Sequence, residues 1–253
     1  MTDNLVLTMK WGTRYSSEYA NILYRAVSAN TSGAVRFTCI TDDPKGLLPE
    51  IETFPIQDLP AFKYANRGNA WPKVDLYRSE LFDLRGRALF LDLDLLIVGS
   101  LDEFFAQDGE FIGVGAGEAW RKKGGKPGFN SSVVGFDIGG QAQISEEFER
   151  DPEAAFRDFE IEQQFEAHNA RGLGFWPADW IVSYKYHLRR PPLVDMVLEA
   201  SPPPPSARIV AFHGKPRPVD LADGSASAWS TFPYRSSGPV SWVKDYWQRY
   251  GNG

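Results

Sequence analysis

The chain has little that would cross-link it, bind it to nucleic acid or anchor it in a membrane. Its single cysteine, Cys39, excludes an internal disulfide framework and a cysteine-based zinc site. No extended lysine and arginine tract accompanies the net charge of −6, so we expect no nucleic-acid partner. No apolar stretch approaches the roughly 20 residues of a membrane span, and residues 1–10 lack a signal-peptide pattern. We therefore expect a cytoplasmic protein without a membrane span.

The composition is that of a globular protein. Of its 253 residues, 43% are hydrophobic and 24% are charged, which suffices for a full core in one large domain. Strand-like segments at 5–9 and 35–41 alternate with helical spacing over 20–27 and 72–82. This alternation predicts an α/β fold with a Rossmann-like, mostly parallel central sheet flanked by helices. We expect a single domain over residues 1–253.

An apolar run that ends in two carboxylates is the most informative segment. Residues 88–91 are Ala-Leu-Phe-Leu, Asp92 and Asp94 follow, and residues 95–98 are apolar again. The run predicts a strand buried on both faces, where two unpaired carboxylates would be costly. Alternate residues of a strand face the same way, so both aspartates could bind one divalent cation together with a substrate's phosphates. The alternative is a strand end whose aspartates cap neighbouring backbone or pair with arginine.

A second group of polar residues follows the predicted strand at 208–212. His213, Gly214 and Lys215 combine an imidazole, a residue that permits close backbone approach and a point charge suited to phosphate. We interpret them as the opposite wall of a metal–diphosphate site. Carboxylates favour Mg²⁺ or Mn²⁺, and an imidazole shifts the preference towards Mn²⁺. The alternative is that His213 only ends a strand.

Two segments in the second half have both a functional and a structural interpretation. Asn130, Ser131 and Ser132 could hold sugar hydroxyls, or they could mark the passage from a loop into a strand. Gly117–Gly128 is rich in glycine and lysine, which predicts a mobile loop. Its basic residues could contact phosphate or an anionic acceptor, or they could belong to a solvated loop. These basic residues are Arg121, Lys122, Lys123 and Lys126.

The rest of the second half predicts a helix over 151–170 and another near the C-terminus, over 240–250. The spacing of the latter places four aromatic side chains on one face, and we expect that face to pack on the protein or on a partner. These side chains are Trp242, Tyr246, Trp247 and Tyr250.

The order of these motifs resembles one family, the retaining nucleotide-sugar glycosyltransferases of the GT-A fold, specifically the bacterial enzymes similar to glycosyltransferase family 8. Residues 90–94 resemble that family's metal-binding Asp-x-Asp motif. Residues 129–132 are similar to its Phe-Asn-Ser-Gly element, with Ser132 in place of glycine. Residues 213–216 are similar to its C-terminal His-x-Gly-x-x-Lys-Pro element in a shortened form. The resemblance covers most of the chain.

The resemblance implies transfer of a sugar from a nucleoside diphosphate, UDP above all, to a hydroxyl of a glycan, lipid-linked or small-molecule acceptor, with retention of configuration. Residues 1–105 would form the nucleotide-binding half, and residues 106–253 the acceptor half with the C-terminal tail. Mn²⁺ or Mg²⁺ would be the cofactor, with Asp92, Asp94 and His213 as its ligands. The substrate-binding residues would be Thr8, Tyr15, Lys73, Asp92, Asn130, Ser131, Gly214 and Lys215.

The catalytic segment departs from the family pattern. The family has an Asp-Gln-Asp element near the reacting sugar carbon, and the matching residues here are Glu162, Gln163 and Gln164. The resemblance implies catalytic roles for Glu162 and Gln163, whereas the second acid has become Gln164. Asp179 could supply the missing carboxylate, or it could cap a helix before Trp180.

Two other functions remain open at this point. A haloacid dehalogenase-type phosphatase also has a strand that ends in Asp-x-Asp, although that strand is normally the first of the chain. A non-catalytic sugar-nucleotide-binding protein is the other alternative, and the loss of the second acid at Gln164 is its best support.

Overall fold

The computed structural model describes residues 4–117, 120, 128–195, 197–223 and 239–251. Its main sheet has seven strands in the order β3-β2-β1-β4-β7-β6-β8. Only β7 runs antiparallel to its neighbours, β4 and β6, and the other neighbouring pairs are parallel. The prediction of a mostly parallel α/β sheet flanked by helices is therefore confirmed. The strands are β1 (Asn4–Lys10), β2 (Val35–Thr41), β3 (Glu52–Pro55), β4 (Arg87–Leu91), β6 (Phe111–Ala116), β7 (Gly128–Asp137) and β8 (Leu173–Phe175).

Alternation along the central strands separates the core into two layers, one on each face of the main sheet. In β1, Leu7 packs in one layer, whereas Val6 packs in the other. The layer around Val6 includes the apolar face of the first helix, and the layer around Leu7 includes three helices of the second half and several 3-10 turns. The helices are α1 (Ser17–Ala29), α2 (Asp102–Ala106), α3 (Ala142–Arg150), α4 (Pro152–Asp158), α5 (Glu162–Asn169), α6 (Pro192–Asp195), α7 (Pro218–Ala222) and α8 (Ser241–Gly251).

A second, three-stranded sheet brings two distant segments of the chain together. Its strands are β5 (Leu95–Ile97), β9 (Ile181–Ser183) and β10 (Ile209–Ala211), in the order β5-β10-β9. β10 is antiparallel to β5, and the register pairs Ala211 with Leu95. Because Leu95 begins its strand and Ala211 ends its own, the residues after Ala211 lie beside those before Leu95. This register brings His213 to the same end of the small sheet as Asp94.

Two predicted helices differ from the structure. The segment predicted as a helix over 72–82 is a 3-10 helix at Trp71–Tyr77, in which all seven residues are buried, so it has no solvent-facing side. The helix predicted over 151–170 is divided into α4 and α5. Phe159 and Ile161 between them have extended backbone, which no helix accommodates. The extended turn lets the Phe159 ring contact Phe165 edge-on.

The C-terminal helix packs on the protein, as its aromatic face predicted. α8 contacts α1 and α7, and it buries Val243, Tyr246 and Tyr250. The hydroxyl of Tyr246 accepts a hydrogen bond from the backbone N–H of Ile97 at 3.0 Å. Among the helices within the described ranges, none has the length and apolar character needed to cross a bilayer. The predicted mobile loop with Arg121, Lys122, Lys123 and Lys126 lies outside the described residues, apart from Gly117, Trp120 and Gly128.

Candidate active site

A cavity of about 560 Å³ opens at the carboxyl ends of β1 and β4, the edge where ligands bind in open α/β sheets. Because β7 runs in the opposite direction, its first residues reach the same edge. The start of α5, the 3-10 turns between β3 and β4 and the segment after β10 close the other sides. The lining residues are Met9, Trp11, Arg14, Tyr15, Ala65, Gly68, Asn69, Ala70, Lys73, Asp92, Leu93, Asp94, Asn130, Ser132, Ile161, Glu162, Gln163, Phe212, His213 and Gly214.

The two predicted aspartates both line this cavity, and each has a protein partner. The Lys73 ammonium lies 2.6 Å from Oδ1 of Asp92. The Tyr15 hydroxyl donates a 2.6 Å hydrogen bond to Oδ2 of Asp94. Burial raises the pKa of Asp92, an effect that Lys73 opposes, and burial followed by the charge of Asp92 raises the pKa of Asp94 to about 6. A cation bound between Asp92 and Asp94 would therefore be stabilised by both carboxylates.

Beneath the aspartates lies a group of buried ionisable side chains that the sequence predicted only in part. Glu162 is buried, and its Oε2 accepts a hydrogen bond from the backbone N–H of Ala70 at 3.0 Å. Burial would lower the pKa of Lys73, but the charges of Asp92 and Glu162 outweigh it and the pKa is raised. Glu162 thus fixes the 3-10 turn that carries Lys73, and the cluster holds Lys73 in its charged form.

Glu166 belongs to this group and was missed by the sequence analysis. It is completely buried, and neither carboxyl oxygen has a hydrogen-bond partner of normal geometry among the described residues. Burial, followed by the charge of Glu162, raises the pKa of Glu166 to about 8. At neutral pH it is therefore mainly a neutral acid. The sequence did contain a signal for Glu166. It lies four residues after Glu162, and residues with this spacing share one face of a helix.

Gln163 lies at the start of α5 and meets the first residues of β7. The side-chain amide of Asn130 donates to Oε1 of Gln163 at 3.4 Å. Oδ1 of Asn130 in turn accepts a 3.0 Å hydrogen bond from the backbone N–H of Ser132, and also one from the Ser132 hydroxyl. The first residues of β7 thereby orient Asn130, and Asn130 orients Gln163 at the cavity wall.

His213 and Gly214 form the wall that the small sheet brings next to Asp94. Gly214 has a φ of 74°, a conformation that favours glycine, and the space beside its Cα is open. Burial, then the charge of Lys185, lowers the pKa of His213 to about 4, so its imidazole is neutral at physiological pH. Its Nε2 is buried and has no hydrogen-bond partner among the described residues. A neutral imidazole nitrogen without a partner is chemically suited to bind a metal ion.

The carboxylates of Asp92 and Asp94 and the imidazole of His213 are groups that commonly bind divalent cations. Within the described ranges, however, no three histidine, cysteine, aspartate or glutamate side chains are gathered closely enough to hold an ion by themselves. Mg²⁺ and similar hard cations are commonly held by one or two carboxylates together with a ligand's phosphates. Asp92 and Asp94 fit that arrangement, in which the ligand completes the coordination.

Two predicted substrate-binding residues on strands face away from the cavity. Thr8 is completely buried, and its neighbour Met9 lines the cavity instead. Ser131 is buried between Asn130 and Ser132, both of which line the cavity. Because successive strand residues point to opposite faces, neither Thr8 nor Ser131 contacts the cavity. This corrects the expectation that their side chains would bind the substrate directly.

Two other predicted residues, Lys215 and Asp179, and the substituted position Gln164 also lie outside the cavity lining. Lys215 is exposed beyond Gly214, and Asp179 is exposed in the turn before Trp180. Gln164 is exposed too, and its side-chain oxygen accepts a 3.0 Å hydrogen bond from the backbone N–H of Glu160 at the start of α5. Gln164 therefore acts at a helix terminus, and Asp179 does not bring a carboxylate to the cavity.

Sequence reasoning also missed Trp11, Arg14 and Asn69, which line the cavity. Arg14 precedes Tyr15 directly, and its guanidinium lies 5.5 Å from the centre of the Tyr15 ring. Asn69 has a positive φ of 57° and donates a hydrogen bond to the carbonyl of Glu160 at 2.9 Å. The signal for Trp11 and Arg14 was their position in the segment that follows β1, whereas no sequence signal marked Asn69.

No protein-family model and no curated protein sequence matches the chain. Solved structures do match it. The galactosyltransferase LgtC, in complex with donor and acceptor sugar analogues, is 13% identical with a TM-score of 0.61 over 97% of this chain and 95% of that one. The glycosyltransferase GlyE of Streptococcus pneumoniae TIGR4 is 13% identical with a TM-score of 0.58, over 100% of this chain and 61% of that one. Mouse xyloside xylosyltransferase 1 is 14% identical with a TM-score of 0.54, over 85% and 98%.

The chain has the GT-A glycosyltransferase fold. This agrees with the fold that the motif resemblance implied. Three strands of the main sheet precede β4, the strand that ends just before Asp92, whereas the phosphatase alternative expects its Asp-x-Asp on the first strand. At these identities the likeness establishes the architecture, and the chemistry has to be argued from the cavity.

Proposed function

We propose that the chain is a glycosyltransferase that depends on a divalent metal and moves a sugar from UDP to a hydroxyl acceptor with retention of configuration. One observation carries this proposal: Asp92, Asp94, Lys73, Gln163 and His213, which come from separate parts of the chain, all line a single cavity. That the fold neighbour LgtC was solved with both donor and acceptor analogues supports a cavity with room for two substrates.

The donor diphosphate would lie against the aspartates, Lys73 and Gly214. Mn²⁺ or Mg²⁺ held by Asp92 and Asp94 would act as a Lewis acid on the leaving phosphates. Lys73 brings a fixed, buried positive charge to the same end of the cavity, where it needs no reorganisation during the reaction. Gly214 leaves open space for a phosphate group, and the neutral His213 imidazole next to it can bind the metal.

The reaction breaks the bond between the anomeric carbon and the diphosphate oxygen, and the electron pair leaves with UDP. The acceptor hydroxyl oxygen forms the new bond on the same face, and its proton passes to the departing diphosphate oxygen. Gln163 would hold the sugar by hydrogen bonds and would not attack it, because an amide is a poor nucleophile. Glu162, which was predicted to be catalytic, would shape this wall, because its Oε2 accepts a hydrogen bond from the Ala70 backbone.

The first test is ligand-dependent stability. UDP with Mn²⁺ should raise the melting temperature, because a ligand at 100 times its Kd adds about 2.7 kcal/mol to the native state. UDP in EDTA should give little shift, since the aspartates then repel the diphosphate. Asp94→Asn should lose the metal-dependent shift, and Asp108→Asn, an exposed matched control, should retain it. Equal stabilisation with and without metal would contradict the metal dependence.

The second test separates an enzyme from a binding protein. With UDP-sugars and Mn²⁺, an enzyme should release UDP slowly by transfer to water and faster when a suitable acceptor is added. A protein that is stabilised by UDP-sugars but releases no UDP from any of them is a binding protein. The position of Gln164 outside the cavity lining weakens the main argument for that alternative. NMR of the product's anomeric proton then tests retention.

A further inference from the structure

Aromatic side chains surround His213 where it leaves the small sheet. The Trp120 ring lies 5.1 Å from the His213 ring and 5.6 Å from the His187 ring, centre to centre and edge-on in both cases. The Tyr186 ring lies 6.2 Å from the His213 ring. We call Trp120, Tyr186 and His187 the aromatic shelf. Because His213 lines the cavity, the shelf continues the cavity wall beyond it.

A short π-helical turn, Tyr184–Leu188, holds two members of the shelf towards solvent. Tyr184 and Leu188 are buried, and the Tyr184 ring stacks on Phe212 at 4.9 Å. Tyr186 and His187, between these two anchors, are exposed, Tyr186 by 36%. π-helical turns are rare and occur frequently at functional sites. The chain thus presents two exposed ring side chains from a rigid support next to its main cavity.

The shelf carries no charge at physiological pH. Nδ1 of His187 accepts a 2.8 Å hydrogen bond from the backbone N–H of Ser183, which places the proton of the neutral imidazole on Nε2. Within the part of the chain that the structure describes, the two cations on the same turn have partners of their own. Lys185 donates to the carbonyl of His213 at 3.2 Å, and Arg189 pairs with the buried Asp195.

We propose that the aromatic shelf is the acceptor subsite and that it takes an uncharged pyranoside. A pyranose ring has an apolar C–H face, which suits the Trp120 and Tyr186 rings, and hydroxyls at its edge, which suit the Nε2–H of His187. Ligand sites typically combine such aromatic surface with a few fixed polar groups. A carboxylated sugar would need a cation that the shelf does not offer. This inference rests on the proposed function, since it names the acceptor class of the same site.

The experiment is saturation-transfer NMR with two probes, methyl β-D-glucopyranoside and methyl β-D-glucuronide, in the presence of UDP and Mn²⁺. The neutral probe should receive saturation, and the anionic probe should receive far less. Trp120→Ala and Tyr186→Ala should each weaken the neutral probe about 3- to 10-fold, the range expected for loss of one aromatic contact. Tyr186→Ala covers the case in which Trp120→Ala fails to fold. Phe175→Ala is the matched control, because Phe175 is 52% exposed and lies on β8.

Each outcome decides the question. Equal binding of both probes, an equal loss in Phe175→Ala, or no saturation of the neutral probe would overturn the inference. The melting shift with UDP and Mn²⁺ is measured on the same samples. If UDP still stabilises all variants while the pyranoside gives no signal, the subsite is refuted and the proposed function stands. If UDP fails to stabilise the unsubstituted protein, the proposed function itself is refuted.

Discussion

Lys73 and Asp92 form a 2.6 Å ion pair at the floor of the cavity, and the lysine side chain is only 6% exposed. The pair joins a 3-10 turn from one core layer to the chain segment that leaves β4. Glu162 and Glu166 also act on Lys73 electrostatically. Lys73 is therefore the buried cation that balances Asp92 and the neighbouring acidic side chains, and its loss should affect folding before it affects chemistry.

Lys73→Met should destabilise the protein by about 3–5 kcal/mol, because it leaves buried carboxyl groups without their cation. Urea unfolding followed by tryptophan fluorescence measures this change. Lys63→Met is the matched control, since Lys63 is exposed and a surface substitution changes stability by about 0.5 kcal/mol or less. A loss in Lys73→Met no larger than in the control would show that the ion pair contributes nothing.

Glu166 should make the free energy of unfolding depend on pH. Its pKa is about 8 in the folded protein against an ordinary 4.5, so between these values the folded state keeps a proton that the unfolded state has released. Stability from this group is therefore highest below pH 4.5 and falls as pH rises towards 8, with a limiting slope of about 1.4 kcal/mol per pH unit. Above pH 8 the slope from this group ends.

Glu166→Gln should remove that slope, because glutamine imitates the neutral acid and does not titrate. Unfolding curves at pH 5, 6, 7 and 8 compare this variant with the unsubstituted protein and with Glu147→Gln. Glu147 is the control because it lies on α3 and pairs with Arg150 outside the cavity. If Glu166→Gln and Glu147→Gln show the same pH dependence, Glu166 does not hold the proton.

Tyr246→Phe tests how the C-terminal helix is attached. The Tyr246 hydroxyl is the partner of the buried Ile97 backbone N–H, and its removal leaves that donor unsatisfied. The expected cost is about 1–3 kcal/mol, measured by urea unfolding, with UDP binding unchanged. Tyr250→Phe should cost less, because the Tyr250 hydroxyl accepts only a longer, part-buried 3.3 Å bond from Asn30. Equal costs would mean that the Ile97 N–H finds another partner.

The central sheet could be predicted because its strands have simple periodicity. The apolar run before Asp92 indicated both β4 and a site at its end, and the structure places Asp92 and Asp94 at the cavity. The short strands of the second sheet have three residues each, so they carry no periodic signal. The sequence could propose His213 as a partner of Asp94, but only the register of β10 with β5 explains why both line the same cavity.

The direction in which a side chain points was the second feature that the sequence could not predict. Thr8 and Ser131 were assigned to the right strands, but a shift of one residue turns a strand side chain to the opposite face. Glu166 was missed because an acid on a helix normally faces water, and its burial depends on contacts with β7 that are distant in sequence. Such burial follows from tertiary packing, which local patterns do not encode.

His213→Ala and Asp94→Asn together test whether the two walls act through one ion. Each substitution should weaken Mn²⁺-dependent UDP binding by about tenfold or more, the loss expected when a metal site is disturbed. The fold should survive both, because the two side chains lie beyond the ends of their strands. The double variant should be little worse than either single variant, since groups that act through one ion are not additive. Isothermal titration with UDP, with Mn²⁺ and with EDTA, measures these affinities.

The chain offers a control for the imidazole itself. His168 lies on α5 and its ring contacts Phe159 outside the cavity, so His168→Ala should leave Mn²⁺-dependent UDP binding unchanged. If the effects of His213→Ala and Asp94→Asn simply add, the two side chains act independently and His213 holds the ligand by itself. If His213→Ala binds UDP with Mn²⁺ as tightly as His168→Ala does, His213 only ends a strand. The metal would then have to be held by Asp92 and Asp94 with the phosphates alone, because no third side chain of this kind stands near them in the described chain.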